Sequence, residues 1–452
     1  MFALPCAGSL LGMWPYLPDL LARPVPRYTS FPTAAEFAPG SGAAEYLSAV
    51  AAIPVGSDIS LYVHIPYCEQ ICFYCGCNTG RAGRASRLTA YLNALLAEID
   101  LVASALDGRA NIRRIAFGGG SPNAIAPTDF VRLVDALTCA FATGRPEMSV
   151  ELDPRGFSLK WAEVLATIGV THASLGVQTF STQIQHAIGR VQPRKLILDT
   201  TALLRDAGVR SLNFDMMYGL PGQTENDLTE SLIQAIDLGP DRVALFGYAH
   251  VPHLVPRQRQ IPDDKLPDQK KRFEMAWSGF ARLRSAGYAS VGFDHFAKPG
   301  DGLAIASRNG TLRRNFQGFT DDRQEILLGL GASSISMFPG LIVQNEKNAG
   351  RYRMRVSAGQ HPLSGGIVRS PDDRRRAIII ENILCNGKAD ISAVTLGLAG
   401  QERLQEFARQ GLLDVSHDVL TLSAKALPYA RGIAAIFDPY RTQEKRRFSN
   451  AI

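Results

Sequence analysis

The chain has 452 residues, 46% hydrophobic and 20% charged. This globular composition excludes intrinsic disorder and allows two to four domains at roughly 100 to 200 residues each, or one large barrel with appendages. A net charge of +6 without a long basic run demands no nucleic-acid surface and suits an anionic small-molecule substrate.

Residues 1–57 read as an N-terminal arm. Its apolar stretch from Met1 to Leu17 has no basic leading segment and no clear cleavage site, and Pro5, Pro15 and Pro18 interrupt or end it. It is expected to be neither a signal peptide nor a membrane span. No other stretch approaches ~18 consecutive apolar residues, so a soluble, cytoplasmic protein is expected, a monomer with no membrane partner. The segment Pro26 to Thr33 is too proline-rich for a regular core element and is expected to wrap over the rest.

From about 58 to 250, short β-rich runs alternate with amphipathic stretches, the pattern of βα units around a parallel sheet. Strands are predicted at Leu61 to Ile65, Arg114 to Phe117, Met148 to Leu152, His172 to Val177, Leu212 to Met216 and Val243 to Tyr248. Helical stripes run through Leu88, Tyr91, Leu95, Ile99 and Val102 and through Phe130, Val131, Val134 and Leu137; further helices are expected over 194–207 and 225–238. Periodicity alone does not choose between an open sheet and a partial or complete barrel. The polar candidates nevertheless fall at strand carboxyl ends, where such folds build their sites. Beyond the sheet, 58–355 continues into an apolar extension. A stretch near 356–372, rich in Pro, Gly and Ser, reads as a linker, and 356–452 as a small, mostly helical domain with a two-stranded wing formed by 411–415 and 419–422.

Seven cysteines are present, and Cys68, Cys72, Cys75 and Cys77 fall within ten residues. Thiolates spaced four and three apart can converge from one loop onto three irons of a 4Fe-4S cluster, leaving the fourth iron open if Cys77 stays out. A zinc site would need two separated pairs, and ligation by all four thiols would make a closed electron-transfer centre. Cys6, Cys139 and Cys385 read as small buried hydrophobes and His64 as a core histidine.

The cysteine spacing, with an aromatic before the third thiol, resembles that of the radical S-adenosylmethionine (SAM) enzymes. The motifs PRYTSFPT, LYVHIPYC, CGCN, FGGGSP, ELDPR, LGVQTF, NFDMMYGLPGQT, YAH, DHFA and RRNFQGFT further resemble the oxygen-independent coproporphyrinogen III oxidase family, in the family's order. The resemblance implies a partial (β/α)6 TIM-like radical SAM barrel, with arm and C-terminal domain. It also implies a 4Fe-4S cluster, two SAM molecules, and oxidative decarboxylation of two propionates of an anionic tetrapyrrole, with an unidentified electron donor and acceptor.

Residue by residue, it makes Cys68, Cys72 and Cys75 the cluster ligands and gives Cys77 a catalytic place near the substrate or second cofactor. Tyr62, Gly119, Gly120, Ser121, Glu151, Gln178, Arg190, Asp215 and Ala249 would contact SAM, Tyr62 beside the chemistry. Phe316, Gln317 and Ile335 would contact a second SAM molecule. Arg27, Arg313 and Arg314 are candidates for the substrate's propionates. The chain departs from the family where Ser121 replaces the usual Thr, Phe31 and Phe319 replace tyrosines, Asp321 follows Thr320, and Asn386, Gly387 and Lys388 follow Cys385. A heme chaperone related to the family is a competing reading, but such relatives generally lack the arm and the Cys77 equivalent. A radical enzyme acting on another tetrapyrrole is the third.

Overall fold

Six parallel strands lie side by side in chain order in the computed structural model of the chain: β1 (Ser57–Ile65), β2 (Ala110–Gly119), β3 (Glu147–Leu152), β4 (His172–Gln178), β5 (Ser211–Tyr218) and β6 (Arg242–Gly247). The structure describes residues 13–40, 42–83 and 85–442; Cys6 and most of the apolar terminal stretch lie outside the described residues. A helix follows each strand, among them α1 (Ala85–Leu106) after β1. β1 does not pair with β6, so the barrel stays open, a partial (β/α)6 barrel.

Strand alternation decides what faces the lumen. Met148, Val150 and Leu152 of β3, Ala173, Leu175 and Val177 of β4, and Leu212, Phe214 and Met216 of β5 are buried in the core. Their alternates, Ser149, Glu151, Ser174, Asn213 and Asp215, line the interior. Small and polar inner residues leave space where a typical barrel is filled with branched side chains.

The sheet is wider than the sequence pattern indicates. On the β1 side it continues through β7 (Leu327–Leu330), parallel to β1, then antiparallel β8 (Ile335–Phe338), β9 (Leu341–Asn345) and β10 (Leu363–Val368), with Ala38–Pro39 of the arm on the edge. The stretch read as a linker therefore carries a strand of the main sheet. Its glycines serve close approach: a Cβ on Gly366 would meet Ile342 O at 2.5 Å, and one on Gly365 would meet Ala38 O at 2.5 Å. On the β6 side His295–Ala297 and Ala289–Val291 add antiparallel strands.

The arm wraps as expected, joining barrel to C-terminal helices. Trp14 packs on Trp277 and Phe280, Leu17 N donates to Tyr429 Oη at 3.0 Å, and Tyr28 Oη donates to Asp438 at 3.0 Å. The wing is present at Leu413–Ser416 and Val419–Leu422, with Lys388–Asp390 as a third strand. Cys385 is buried, but Cys139 is exposed: it sits two residues past Leu137, on the opposite face of its helix from the buried stripe.

By length and composition α1 is apolar enough to cross a membrane. Its stripe of Tyr91, Leu95, Ile99 and Val102 is buried against the sheet and neighbouring helices. The same face carries Glu98, 1% exposed. Its carboxylate accepts from Gly331 N, Asn345 Nδ2 and Tyr352 Oη, each at 2.6 Å, and so ties α1 to the turn between β7 and β8. Burial pushes Glu98 up to about 7, against these three donors. Its folded-state pKa is thus above the unfolded one, so its contribution to stability is greatest below the unfolded value, falls as pH rises toward about 7, and is flat above. Glu98→Gln should flatten that slope in denaturant titrations across this window, and Glu98→Ala should cost about 3 kcal/mol or more by leaving several donors unpaired. An unchanged slope in Glu98→Gln would assign the pH dependence elsewhere.

Candidate active site

The carboxyl ends of the six strands open into one cavity of about 530 Å³. Cys68, Cys72, Cys75 and Cys77 line it from the loop after β1, with Gly119 and Gly120 from the end of β2, Glu151, Gln178 and Asp215 from β3, β4 and β5, Arg190 from the loop after β4, Ala249 after β6, and Arg27 from the arm.

The thiols are held by cations and by their own loop. Cys72 Sγ accepts from Arg155 Nη2 and Arg190 Nη1, both at 3.3 Å. The two guanidiniums pair with Asp153, at 2.6 and 3.3 Å. Cys68 Sγ lies 3.3 Å from Thr79 Oγ1, and Cys77 N donates to Cys75 Sγ at 3.4 Å. Burial pushes the Cys68 thiol up to about 11, while hydrogen bonding from Cys77 lowers Cys75. Among the described residues no three Cys, His, Asp or Glu side chains converge on a single-ion site. Thiols that face one cavity without meeting at a point, with guanidinium donors on a sulfur, fit separate irons of a 4Fe-4S cluster.

The glycine run makes room for a carboxylate. A Cβ on Gly118 would lie 2.7 Å from the Glu151 carboxyl carbon, and Gly119, at φ +113°, donates its N–H to Glu151 Oε2 at 3.2 Å. Burial and the nearby Asp215 charge push Glu151 up to about 7; burial raises Asp215 too, against donation from Asn213 and Ser174. β4 ends in a bulge with Gln178 at φ +68°, a left-handed conformation costly for a non-glycine residue. Arg190 braces it by donating to Gly176 O at 3.0 and 2.6 Å.

The remaining candidates stand apart. Ser121 does not line the cavity: it is buried, donates to Asn123 Oδ1 at 2.5 Å and accepts from Asp153 N at 3.2 Å, so it shapes the loop that carries Asp153. Tyr62 lies beneath the site in an apolar cluster with Ala116 and Leu327, its ring 4.6 Å edge-on from Phe316. Its hydroxyl is 3.2 Å from Nδ1 of His64, a buried ring whose pKa desolvation lowers to about 4. Gln317 lines a second, polar chamber of about 350 Å³ inside the barrel, which shares Glu151, Ser174 and Asp215 with the first. Ile335 opens β8 and lines neither chamber. Arg313 pairs with Glu381 at 2.9 Å. Arg314 donates to the backbone carbonyls of Arg27 and Tyr28 and lies 4.3 Å over the Phe319 ring. Phe319, where a tyrosine is usual, thus supports a cation, and Asp321 pairs with Arg114 at 2.6 Å.

Sequence reasoning placed Asp153 at the end of its strand without a specific role and passed over three further groups. Arg155 lay within ELDPR unremarked. Arg257 donates to Thr79 O at 2.9 Å and Gln258 to Tyr74 O at 2.8 Å; both belong to the loop after β6, where no motif marks them.

Residues 62–234 match the Radical SAM superfamily model, and the class is that of enzymes that use a 4Fe-4S cluster and SAM. Relatives named oxygen-independent coproporphyrinogen III oxidase include one from Bradyrhizobium diazoefficiens, 38% identical over 95% of this chain and 97% of its own. Another, from Paracoccus denitrificans, is 39% identical over 92% and 94%. The solved coproporphyrinogen III oxidase (HemN) of Escherichia coli, described as a radical SAM enzyme, superposes with a TM-score of 0.87 at 34% identity, covering 95% of this chain and all of that one. The chain belongs to the oxygen-independent coproporphyrinogen III oxidase family.

A Cβ on Gly120 would lie 2.4 Å from Tyr67 O and 2.6 Å from Thr79 Oγ1. Gly120→Ala should therefore cost about 1–3 kcal/mol through overpacking against the thiol loop. A melting temperature equal to that of the parent would show that the loop yields freely.

Proposed function

We propose that the protein catalyses the oxidative decarboxylation of two propionates of coproporphyrinogen III, giving protoporphyrinogen IX in heme biosynthesis. One observation carries the reading: the thiol loop, the glycine and carboxylate groups of successive strands, and Arg27 of the arm line a single cavity. Cys77 and the arm, which the related heme chaperones generally lack, are both part of that cavity.

In this reading Cys68, Cys72 and Cys75 hold the cluster, and Arg155 and Arg190 stabilise the sulfur of Cys72. Cys77 stays off the cluster and faces the substrate. Gly119 and Gly120 admit the methionine end of SAM, Glu151 and Asp215 accept from its ammonium or ribose hydroxyls, Gln178 and Arg190 complete the polar wall, and Ala249 lies against adenine. Bound ammonium favours the ionised form of Glu151, offsetting the burial that raises it. A cluster held by Cys68, Cys72 and Cys75 and a SAM molecule against Glu151, Asp215 and Ala249 would supply one-electron, hydrogen-abstracting chemistry at a propionate, with the carboxyl group lost as CO2 and the surplus electron taken by an external acceptor. Tyr62 supports the floor of the site through Phe316 and His64. Two decarboxylations consume two SAM molecules, and Gln317 supports placing the second in the polar chamber; Phe316 and Ile335 take packing roles. The enzyme draws on an external electron donor and works in the cytoplasm as a monomer, without nucleic acid or membrane.

The reconstituted protein, supplied anaerobically with reductant, SAM and coproporphyrinogen III, should yield a product lacking two carboxyl groups together with 5'-deoxyadenosine, read by mass spectrometry. SAM cleavage without decarboxylation would move the search to another substrate, and stoichiometric heme binding without turnover would favour the chaperone. Cys68→Ala, Cys72→Ala and Cys75→Ala should each lose the 4Fe-4S absorption, whereas Cys77→Ala should keep it and lose the product. A full cluster spectrum in Cys68→Ala would refute the ligand set.

A further inference from the structure

Away from the cavity, the outer side of the thiol loop is strongly basic. Residues 76–97 and 347–360 together hold seven Lys and Arg and no Asp or Glu. Tyr67–Cys68 pairs in parallel with Gly80–Arg81, which makes Arg81 the register partner of Cys68. Arg87 stands in the first turn of α1, and Arg353, on helix Ala349–Ser357, joins it within electrostatic reach of Tyr67. Asn78 Nδ2, in the thiol loop, donates to Lys347 O at 2.9 Å. Helix Ala349–Ser357 packs on α1. It buries Tyr352 and Val356 and leaves Arg351 and Met354, three residues apart, exposed on one face.

These cations are not spent on neighbours. Arg81, Arg87, Lys347 and Arg351 are exposed and Arg353 is half-buried. Among the described residues none of the five side chains makes a hydrogen bond or an ion pair. Glu69, the acidic residue of the loop, turns the other way, toward Gly156 after β3. Exposed like charges without counterparts project a field over about a Debye length, roughly 8 Å at physiological ionic strength, and such a field speeds the approach of an oppositely charged partner. The position of the patch narrows what that partner is. A radical SAM enzyme takes up one electron for each SAM molecule that it cleaves. With SAM and substrate on the cavity face of the thiols, the outer face of the loop is the side left for an electron donor.

We propose that Arg81, Arg87, Lys347, Arg351 and Arg353, with Met354 among them, form the docking surface for an acidic one-electron carrier protein, which delivers its electron through the loop that holds Cys68. In that step the carrier is oxidised by one electron and the cluster reduced by one, and no bond is made or broken. The surface rests on the radical SAM class and not on the identity of the tetrapyrrole, so it stands or falls apart from the decarboxylase reading. None of its five cations belongs to a motif that the sequence singled out.

Anaerobic stopped-flow mixing of the cluster-containing protein with a reduced, acidic flavodoxin tests it, with reduced methyl viologen, a small cation, as the second donor. Calorimetric titration with oxidised flavodoxin reads binding without turnover. Arg81→Glu combined with Arg87→Glu, and independently Lys347→Glu combined with Arg351→Glu, should each weaken flavodoxin binding and slow cluster reduction by flavodoxin roughly tenfold at low salt. Both should keep the oxidised cluster spectrum and be reduced by methyl viologen at least as fast as the parent, and rising salt should shrink the difference. Arg145→Glu, the same charge change at an exposed position before β3, at the opposite end of the barrel, should match the parent. Parental binding and rate in both double variants, or a parent that flavodoxin neither binds nor reduces, overturns the proposal, as does a loss shared with methyl viologen, which would place the defect in the thiol loop itself. A raised KM for coproporphyrinogen III with methyl viologen as donor would give the patch to substrate steering, and binding to anionic vesicles in place of flavodoxin would give it to a membrane; either overturns the carrier. If flavodoxin docks and reduces as expected but coproporphyrinogen III is left unchanged, the functional reading falls and the docking surface stays.

Discussion

The guanidinium of Arg190 joins the segments from which the site is made. It donates twice to Gly176 O at the bulge of β4, once to Cys72 Sγ in the loop after β1, and pairs with Asp153 at the end of β3. Each of those acceptors is a polar group withdrawn from water, and the cost of leaving one unpaired is larger than the gain from pairing it. Burial opposes the charge on Asp153, but Arg190 and Arg155 outweigh it and hold the carboxylate below its usual range. A planar fork with several fixed donors can serve three directions at once, which a lysine ammonium on a flexible stem does less well. The thiol loop, Asp153 at the end of β3 and the strained Gln178 therefore depend on one another through a single side chain.

A second dependence links arm and barrel. Arg314, in the motif RRNFQGFT, donates to the carbonyls of Arg27 and Tyr28 in PRYTSFPT. Tyr28 in turn donates to Asp438 near the end of the described chain. Two motifs almost three hundred residues apart are thus halves of one junction, and the place of Arg27 at the rim of the cavity is decided by Arg314. The face of the Phe319 ring meets the Arg314 cation.

Much of the fold was legible because its signals are local. All six barrel strands were predicted, with ends off by up to four residues, since alternation and helix periodicity are properties of neighbouring residues. The thiol loop and the polar ends of β3 to β5 were legible for the same reason. The strand at Leu363–Val368 was not, because its glycines look like loop punctuation until the close approach of Ile342 and Ala38 is seen. Cys139 was misjudged through a stripe that its own position does not share, and Ser121, matched to a cofactor motif, turns its hydroxyl away from the cavity into the loop beneath.

The sequence by itself determined the family, the α/β alternation and the set of polar groups at the strand ends, because these are encoded in spacing along one stretch of chain. Only the tertiary structure decided which of them share a cavity. It also decided that Arg155 and Arg190 converge on Cys72, that Arg313 is spent on Glu381, and that Arg272 and Arg431 join Arg27 around one pocket. Such groupings depend on which faces of distant elements are packed together. Neither the burial that shifts their ionisation nor the direction in which their donors point is present in the order of residues.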